Sequence, residues 1–222
     1  MPGGEAAVRE PWRMAAALLQ ATYGEAMSNL DLAFVRRLDR GAWRILSRAV
    51  EQGLNAPLTS SVGRLFDAVA SLLNLRDRVD FEAQAAMELE ALARSEADRV
   101  YAVDLHENDN GLMVETTEIV RGVVEDILAG VRAEQIASRF HATLASVIVR
   151  TCGRLRKRSG LERVALRGGV FQNIRLLRLT VDGLRRSGFH VYTHHQVPPN
   201  DGGLALGQAA IAARIRHDGS SC

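Results

Sequence analysis

The sequence has few cysteines and no long apolar run, and these absences exclude several classes of protein. Two cysteines in 222 residues, Cys152 and Cys222, are too few for a disulfide framework, which indicates a reducing compartment. No apolar run approaches the ~18 residues that a membrane-spanning helix needs. The first residues, Met-Pro-Gly-Gly-Glu, contain no apolar core of a signal peptide. The sequence therefore predicts a cytoplasmic protein without membrane association.

A concentration of positive charge is also absent, and this argues against a nucleic-acid partner. The formal net charge is +2, and the basic residues form no block along the chain. Hydrophobic residues, in contrast, make up 47% of the sequence, which is enough to bury a sizeable core. The length is consistent with one large domain or two small ones.

Apolar periodicity predicts an α/β protein in three consecutive parts. Residues 1–98 show helical spacing nearly throughout. Residues 99–216 combine helices with short strands, as expected of an α/β lobe. Residues 217–222, which include Gly-Ser-Ser, are predicted to form a flexible tail.

Local signals add detail to this outline. Pro11 stands at a break or in the first turn of a helix, where its missing N–H does no harm. Asp80 precedes an apolar pattern and is predicted to cap the helix that begins with Phe81. Residues 100–103 and 112–116 are predicted to pair as a β-hairpin around a turn-rich loop.

A pair of glycines between a predicted strand and a predicted helix is the first candidate site. Residues 164–166 are apolar and uncharged, which predicts a strand buried on both faces. Gly168 and Gly169 follow, and a helical pattern begins near Gln172. Glycine permits a positive φ, and the start of a helix offers unpaired amides to an anion such as phosphate. An ordinary strand-to-helix turn is the alternative.

Two further loops are candidates to meet this turn. Residues 198–203 contain a second glycine pair and follow the predicted strand 190–193, so both loops leave the carboxyl edge of the sheet. Within this loop, Asp201 could bind a metal ion or a nucleotide-bound magnesium, or it could cap the next helix. Residues 59–67 form the third candidate loop.

The histidines and Cys152 provide little support for a site of their own. His190 and His194 are four residues apart in a predicted strand, where they would lie about 13 Å from each other, too far to share a metal. His141 lies in a predicted helix and is interpreted as a packed or capping residue. Cys152 is predicted to belong to the core.

Five motifs, in order along the chain, resemble the C-terminal part of the HypF carbamoyltransferase family, which acts in the maturation of nickel–iron hydrogenases. A sixth stretch, PGGEAAVREPWRM at residues 2–14, is similar to an internal segment of the same family. The resemblance covers nearly the whole chain. The five motifs are SSVGRLFDAV at 60–69, FEAQAAMELE at 81–90, RFHATL at 139–144, GGVFQN at 168–173 and PPNDGGLALGQ at 198–208.

The resemblance implies a fold and an activity. The fold would be the second lobe of an actin/sugar-kinase/Hsp70-like (ASKHA) ATPase domain, with a helical N-terminal half, similar to the tRNA threonylcarbamoyl transferases. The family's last domain passes a carbamoyl group from carbamoyl adenylate, formed from ATP in another domain, to the C-terminal cysteine of HypE. A HypE-like protein is therefore the implied partner.

The resemblance also implies binding residues, although it identifies no catalytic side chain in this chain. The phosphates of the nucleotide would be held by Gly168, Gly169, Val170 and Asn173. Gly63, Asp67 and Glu82 would lie around the ribose and base. Asp201 would be one ligand of a divalent metal, which could be iron, zinc or magnesium.

The sequence departs from the family pattern in two respects. Arg167 stands where the family usually has serine before the glycine pair, so its guanidinium could either contact a phosphate or block the pocket. The family's two metal-binding histidines and its acylphosphatase-like, zinc-finger and adenylate-forming domains have no counterpart here. The chain alone is therefore predicted to be incomplete as an enzyme.

Three interpretations remain open. The chain could act as a carbamoyltransferase together with a separate chain that carries the missing N-terminal domains. It could be a non-catalytic remnant that binds nucleotide or HypE. It could also be a module similar to tRNA threonylcarbamoyl transferases.

Overall fold

The computed structural model describes residues 1–108 and 111–219. Before residue 105 all regular elements are helical, and a 3₁₀ helix over Gly24–Asn29 follows the second of them. These helices are α1 (Ala6–Arg9), α2 (Pro11–Tyr23), α3 (Ala33–Arg37), α4 (Arg40–Glu51), α5 (Val62–Leu72) and α6 (Gln84–Leu92).

Helices and short strands alternate in the remainder of the described chain. Two more 3₁₀ helices, Gly169–Gln172 and Asp201–Gly203, each precede an α-helix. The elements are β1 (Leu105–Asn108), β2 (Gly111–Val114), α7 (Thr117–Leu128), α8 (Ala133–Ser159), β3 (Arg163–Ala165), α9 (Ile174–Arg186), β4 (His190–Tyr192) and α10 (Leu204–Gly219).

Two local predictions at helix starts have opposite outcomes. Pro11 occupies the first position of α2, as predicted, because a residue there needs no N–H for the helix. Asp80 does not cap α6. The helix begins four residues later, after Ala83 in the left-handed conformation, and Gln84 Oε1 accepts the backbone N–H of Asp80 at 2.8 Å. The folded-back glutamine side chain satisfies an amide that the predicted helix would have left unpaired.

The predicted hairpin exists, but its first strand is displaced along the chain. β1 pairs antiparallel with β2, with Leu105 opposite Val114, so residues 100–103 lie outside it. Tyr101 and Val103 are nevertheless buried, and a Cβ added at Gly122 of α7 would lie 2.5 Å from the Tyr101 ring. Packing on a helix therefore explains the strand-like alternation of residues 100–103. Residues 109–110 of the predicted loop lie outside the described chain.

The main hydrophobic core is built from helices and crosses the boundary predicted at residue 98. It packs α2, α5 and α6 against α7 and α8. Aromatic and branched side chains fill it because each helix presents one apolar face inward. Its largest fully buried members include Leu19, Phe34, Phe66, Leu89, Ile119, Ile136 and Phe140.

A second, much smaller core supports the parallel strand pair. Leu166, Leu184 and Phe189 are its buried members, and the half-buried Cys152 packs against them. β3 and β4 lie side by side, as predicted, with Val164 opposite Val191.

The prediction of a strand buried on both faces is wrong, because among the described residues β3 pairs with β4 alone and packs against α8 and α9 through Val164. Arg163 and Ala165 at its two ends are exposed, and Val164 is half-buried.

Helix α10 is the least covered element of the described chain. Every side chain described in it is exposed, including Leu206 and Ile211. The predicted tail begins within its last turn, and residues 220–222 lie outside the described residues. Within the ranges 1–108 and 111–219, no helix has both the length and the apolar character needed to cross a membrane.

Candidate functional site

The glycine turn after β3 contacts the second glycine loop, as the sequence predicts for two loops at one edge of a sheet. Gly168 has φ +105° and ψ 157°, a conformation that is largely restricted to glycine. Its N–H donates to the carbonyl oxygen of Pro199 at 2.8 Å. The carboxyl ends of β3 and β4 therefore bring residues 168 and 199 into direct contact.

Open space and free backbone donors occur together at this turn. A Cβ added at Gly168 would meet no atom within 4 Å, and one at Gly169 would only approach Gln172 Oε1, at 4.0 Å. The amides of Gly169 and Val170, the first two of the 3₁₀ helix, have no acceptor within the described part of the chain. Adjacent free amides beside a cleared volume suit a phosphate oxygen.

The start of α9, in contrast, is not the free anion site that the sequence predicts. Asn173 Oδ1 accepts the N–H of Leu176 at 2.8 Å, and Glu90 Oε1 accepts the N–H of Arg175 at 3.0 Å. A carboxylate already occupies the positive end of this helix, where it would repel a phosphate. The available donors are therefore those of the preceding turn.

Glu90 is a residue of the site region that sequence reasoning missed. It lies in α6, and its bond to Arg175 joins positions separated by 85 residues. No spacing or composition signal in either segment points to the other. Only the packing of α6 beside the amino end of α9 reveals the contact.

Asn173 is connected to α8 by a buried hydrogen bond. Its Nδ2 lies 3.0 Å from Nε2 of His141, and His141 Nδ1 lies 2.7 Å from the carbonyl oxygen of Ala137. His141 is fully buried, in agreement with its interpretation as a packed residue, and burial lowers its pKa to about 4. At neutral pH the imidazole is therefore uncharged, so one ring nitrogen donates and the other accepts.

The other polar residues of the RFHATL motif serve the fold. Arg139 Nη1 donates to the buried Asp126 Oδ2 at 2.6 Å, and its Nε and Nη2 bind Asp98 in a bidentate pair at 2.8 and 2.7 Å. Tyr101 also donates to Asp126, at 2.8 Å, and its backbone N–H donates to Thr143. Arg139, Asp126, Asp98 and Tyr101 together are called the charged hub. It holds the segment before β1 against α7 and α8.

The charges of the hub shift the ionisation of its members. The hydrogen bond from Arg139 holds the pKa of Asp98 well below its usual range. Burial would raise the pKa of Asp126, but the bonds from Arg139 and Tyr101 outweigh it and lower the value. Burial and the bond to Asp126 raise the pKa of Tyr101.

Asp67 is a buried carboxyl on α5. Its Oδ2 lies 2.8 Å from Arg64 Nη1, but the two atoms are poorly aligned and neither makes a hydrogen bond. Burial raises the pKa of Asp67 to about 6 against the opposing charge of Arg64. The preceding residue, Phe66, packs edge-on against the ring of His141, with centroids 5.2 Å apart. Asp67 is therefore adjacent in the chain to a residue that packs against His141.

Gly63 and Glu82 are not joined to the turn by any contact within the described residues. Gly63 is the second residue of α5, where an added Cβ would lie 3.4 Å from Ser61 Oγ. Glu82 is exposed in the turn before α6. Their predicted places around a ribose and base therefore stay predictions.

Asp201 is exposed at the start of a 3₁₀ helix, and Asn200 is the residue that caps it, accepting the N–H of Gly202 at 3.1 Å. Packing explains the second glycine pair, since a Cβ at Gly203 would lie 2.8 Å from the Pro198 carbonyl oxygen.

The described residues bring together no group of three or more histidine, cysteine, aspartate or glutamate side chains. Asp201 is therefore not part of such a group among the described residues, and a single carboxylate does not make a complete iron or zinc site. Arg167, beside the glycine turn, is exposed.

The chain resembles one protein family over nearly its whole length. Residues 1–208 match the family model described as "Carbamoyltransferase, Kae1-like Domain, second subdomain". The chain is 40% identical over 219 residues to the carbamoyltransferase HypF of Rhodobacter capsulatus, covering 95% of this chain and 26% of the relative. It is 36% identical to a carbamoyltransferase HypF homolog of Cupriavidus necator, covering 96% of this chain and 55% of that protein.

Solved structures give the same result. Full-length HypF in its phosphate- and nucleotide-bound form superposes with a TM-score of 0.88 at 36% identity, covering 97% of this chain and 33% of that one. HypF of T. kodakarensis superposes with a TM-score of 0.79 at 27% identity, covering 94% of this chain and 28% of that one. The chain therefore spans about a third or less of these structures.

Proposed function

Because the chain belongs to the HypF carbamoyltransferase family, as the second subdomain of the Kae1-like domain, we propose that it supplies the phosphate-binding part of a carbamoyltransferase site. One observation carries this proposal: the free amides of Gly169 and Val170 directly follow Gly168, where an added Cβ would meet no atom within 4 Å. The nucleotide- and phosphate-bound state of a related full-length HypF supports a nucleotide as the ligand.

In this proposal the chain holds the adenylate part of carbamoyl adenylate. The two amides donate to its phosphate, while Gly168 leaves room for the phosphate to approach. Asn173 fixes the end of the turn by capping α9. Asp67, with Gly63 and Glu82, would lie toward the ribose and base, as the family resemblance implies.

The reaction proposed for the complete site is carbamoyl transfer to a thiol. The terminal cysteine of a HypE-like protein, as the thiolate after its proton has passed to solvent, attacks the carbamoyl carbon; a C–S bond forms, and the C–O bond to the phosphate breaks as AMP leaves. The amides of the turn stabilise the negative charge that develops on the leaving phosphate. Binding of ATP itself follows from the same donors.

We propose that the remaining part of the site comes from the N-terminal domains of HypF. Apolar surface that these domains could cover lies on α10 and on β4, where Tyr192 is 57% exposed. The large apolar side chains exposed on α10 are Leu204, Leu206, Ile211 and Ile215. A lobe of an ASKHA ATPase would present such a face to its companion lobe.

A divalent metal, whether iron, zinc or magnesium, would need ligands besides those that the described residues bring together. Asp201 could contribute one oxygen. The cytoplasmic location stays a prediction from the cysteine content.

Calorimetry with ATP or AMP and magnesium tests the nucleotide site. We expect the purified chain to bind nucleotide and Gly169→Val to abolish binding by filling the cleared volume. Gly153→Val is the matched control, because Gly153 in α8 also faces open space but lies outside the turn. Unchanged binding by Gly169→Val, or no binding by a well-folded wild-type chain, would contradict the proposal.

A second candidate is a non-catalytic module that binds nucleotide or HypE. The exposed Arg167 beside the turn and the lone Asp201 favour it. Carbamoylation of a HypE-like protein, measured after mixing the chain with N-terminal HypF domains, separates the two. Activity supports the carbamoyltransferase, and nucleotide binding without activity supports the module.

A further inference from the structure

We propose that His141 is a positioning residue: from α8 it fixes the amide orientation of Asn173 and thereby the backbone donors of the glycine turn. This inference rests on the proposed nucleotide site. His141 itself lies behind the turn and is fully buried, so it acts through Asn173 without touching the ligand.

The hydrogen-bond partners of His141 determine which ring nitrogen carries the proton. Nδ1 lies 2.7 Å from the carbonyl oxygen of Ala137, which can only accept, so Nδ1 carries the hydrogen. In the neutral ring, Nε2 is then an acceptor. It faces Asn173 at 3.0 Å and must receive an N–H from the Asn173 amide.

The orientation of Asn173 follows from this tautomer. Its Nδ2 points to His141, which leaves Oδ1 to accept the N–H of Leu176 at 2.8 Å. The reversed amide would place an oxygen against the lone pair of Nε2 and an NH₂ group against the N–H of Leu176. Both contacts would become repulsive, so a single orientation satisfies the buried groups.

Asn173 transmits this constraint to the turn. Its backbone N–H donates to the carbonyl oxygen of Val170 at 3.2 Å and closes the 3₁₀ helix whose first amides are free. The rings of Phe66 and Phe140 stand edge-on to His141, with centroids 5.2 and 6.0 Å away. The two rings, whose centroids are 5.0 Å apart, pack together against the imidazole, and α8 thereby supports the turn.

A pair of substitutions that differ by one methylene tests this role. His141→Asn is short and resembles the Nδ1 side of the ring, so it can bond Ala137 but not reach Asn173. His141→Gln is long enough to place Oε1 where Nε2 stands. We expect His141→Asn to weaken AMP or ATP binding at least tenfold in calorimetry and His141→Gln to retain most of the affinity.

A measurement without ligand accompanies the titration. Hydrogen exchange of the backbone amides of residues 168–173 should accelerate in His141→Asn and stay near the wild-type rate in His141→Gln. Thr143→Val is the control, because Thr143 is buried on the same helix and bonds Tyr101, away from the turn. It should lower stability without changing affinity or local exchange.

The possible outcomes separate the two proposals. Unchanged exchange at residues 168–173 in His141→Asn overturns the positioning role, whether or not nucleotide binds. Equal losses in His141→Asn, His141→Gln and Thr143→Val also overturn it, because they indicate general destabilisation. Accelerated exchange in His141→Asn alone, with no nucleotide binding by the wild type, supports positioning and rejects the proposed nucleotide site.

Discussion

The helical body and the C-terminal region of this chain differ in how completely they bury their apolar surface. The body, from α1 to α8, contains the main core with its fully buried aromatic side chains. The C-terminal region, from β3 to α10, has three buried residues in its own core and leaves α10 exposed. A segment with little core of its own depends on neighbours for its structure.

The candidate site lies where these two regions meet. The glycine turn belongs to the sparsely packed region, but the residues that hold it, His141 and Glu90, come from the body. This arrangement resembles the support of a binding loop by a rigid scaffold. A substitution at His141 or Glu90 can therefore change the structure of the turn while the residues of the turn itself stay the same.

The largest effect should come from breaking the charged hub of the body. Arg139→Met removes the buried ion pair with Asp126 and the exposed pair with Asp98, and leaves Asp126 with Arg99 and Tyr101 as its donors. Loss of one partner of a buried pair costs up to about 3–5 kcal/mol of the free energy of unfolding. Denaturant titration measures the change, with Asp98→Asn as the control. Because the Asp98 side chain is 57% exposed, that variant should lose much less stability than Arg139→Met. Equal losses would show that the hub is not a buried unit.

A pair of aromatic truncations tests the difference between the two cores directly. Phe66→Ala in the body should lower global stability by about 3–5 kcal/mol, because the cavity cannot collapse. Phe189→Ala should instead loosen β3, β4 and α9 while the body stays folded, since Phe189 packs only in the small core and under Arg156. Hydrogen exchange resolves the two patterns. Uniform acceleration across the body in Phe189→Ala would contradict independent behaviour of the two regions.

The acid dependence of stability should show opposite contributions from two buried groups near the site. Burial lowers the pKa of His141 to about 4, below its value near 6.5 in the unfolded chain. Its contribution to the free energy of unfolding is therefore present above pH 6.5 and is lost as the pH falls from 6.5 through 4. Burial raises the pKa of Asp67 to about 6, so its contribution is present below its unfolded value of 3.8 and is lost as the pH rises through 6.

The contributions of His141 and Asp67 to the free energy of unfolding each amount to roughly 3 kcal/mol, at 1.36 kcal/mol per pKa unit. Between pH 4 and 6 the two slopes oppose each other in the wild type. Relative to the wild type, His141→Gln should become less stable as the pH rises and Asp67→Asn more stable. Stability measured at half-unit pH intervals gives both slopes, and parallel curves for all three proteins would refute the assignment.

Sequence reasoning succeeded where a single segment determines its own structure. Helical spacing located the helix that carries His141, α8, and the conformational freedom of glycine identified the turn at Gly168. It failed where distant segments decide. The register of β1 was missed because helices bury Tyr101 and Val103 in place of a partner strand. The acceptors at the start of α9 were missed because Glu90 arrives from α6.

The smallest effect on stability should come from the most exposed helix. Leu206 and Ile211 of α10 are 59% and 58% exposed, so replacing both by glutamine should change the free energy of unfolding by about 0.5 kcal/mol or less. The same double variant should bind N-terminal HypF domains more weakly, because that association would cover these side chains. Leu155→Gln, on the half-exposed surface of α8, is the control for lost surface hydrophobicity.

Marked destabilisation of the isolated chain would show that α10 packs against the helical body. Unchanged association would show that the N-terminal domains use another face. Unchanged stability combined with weaker association would establish that the poorly covered region of the chain is its contact surface.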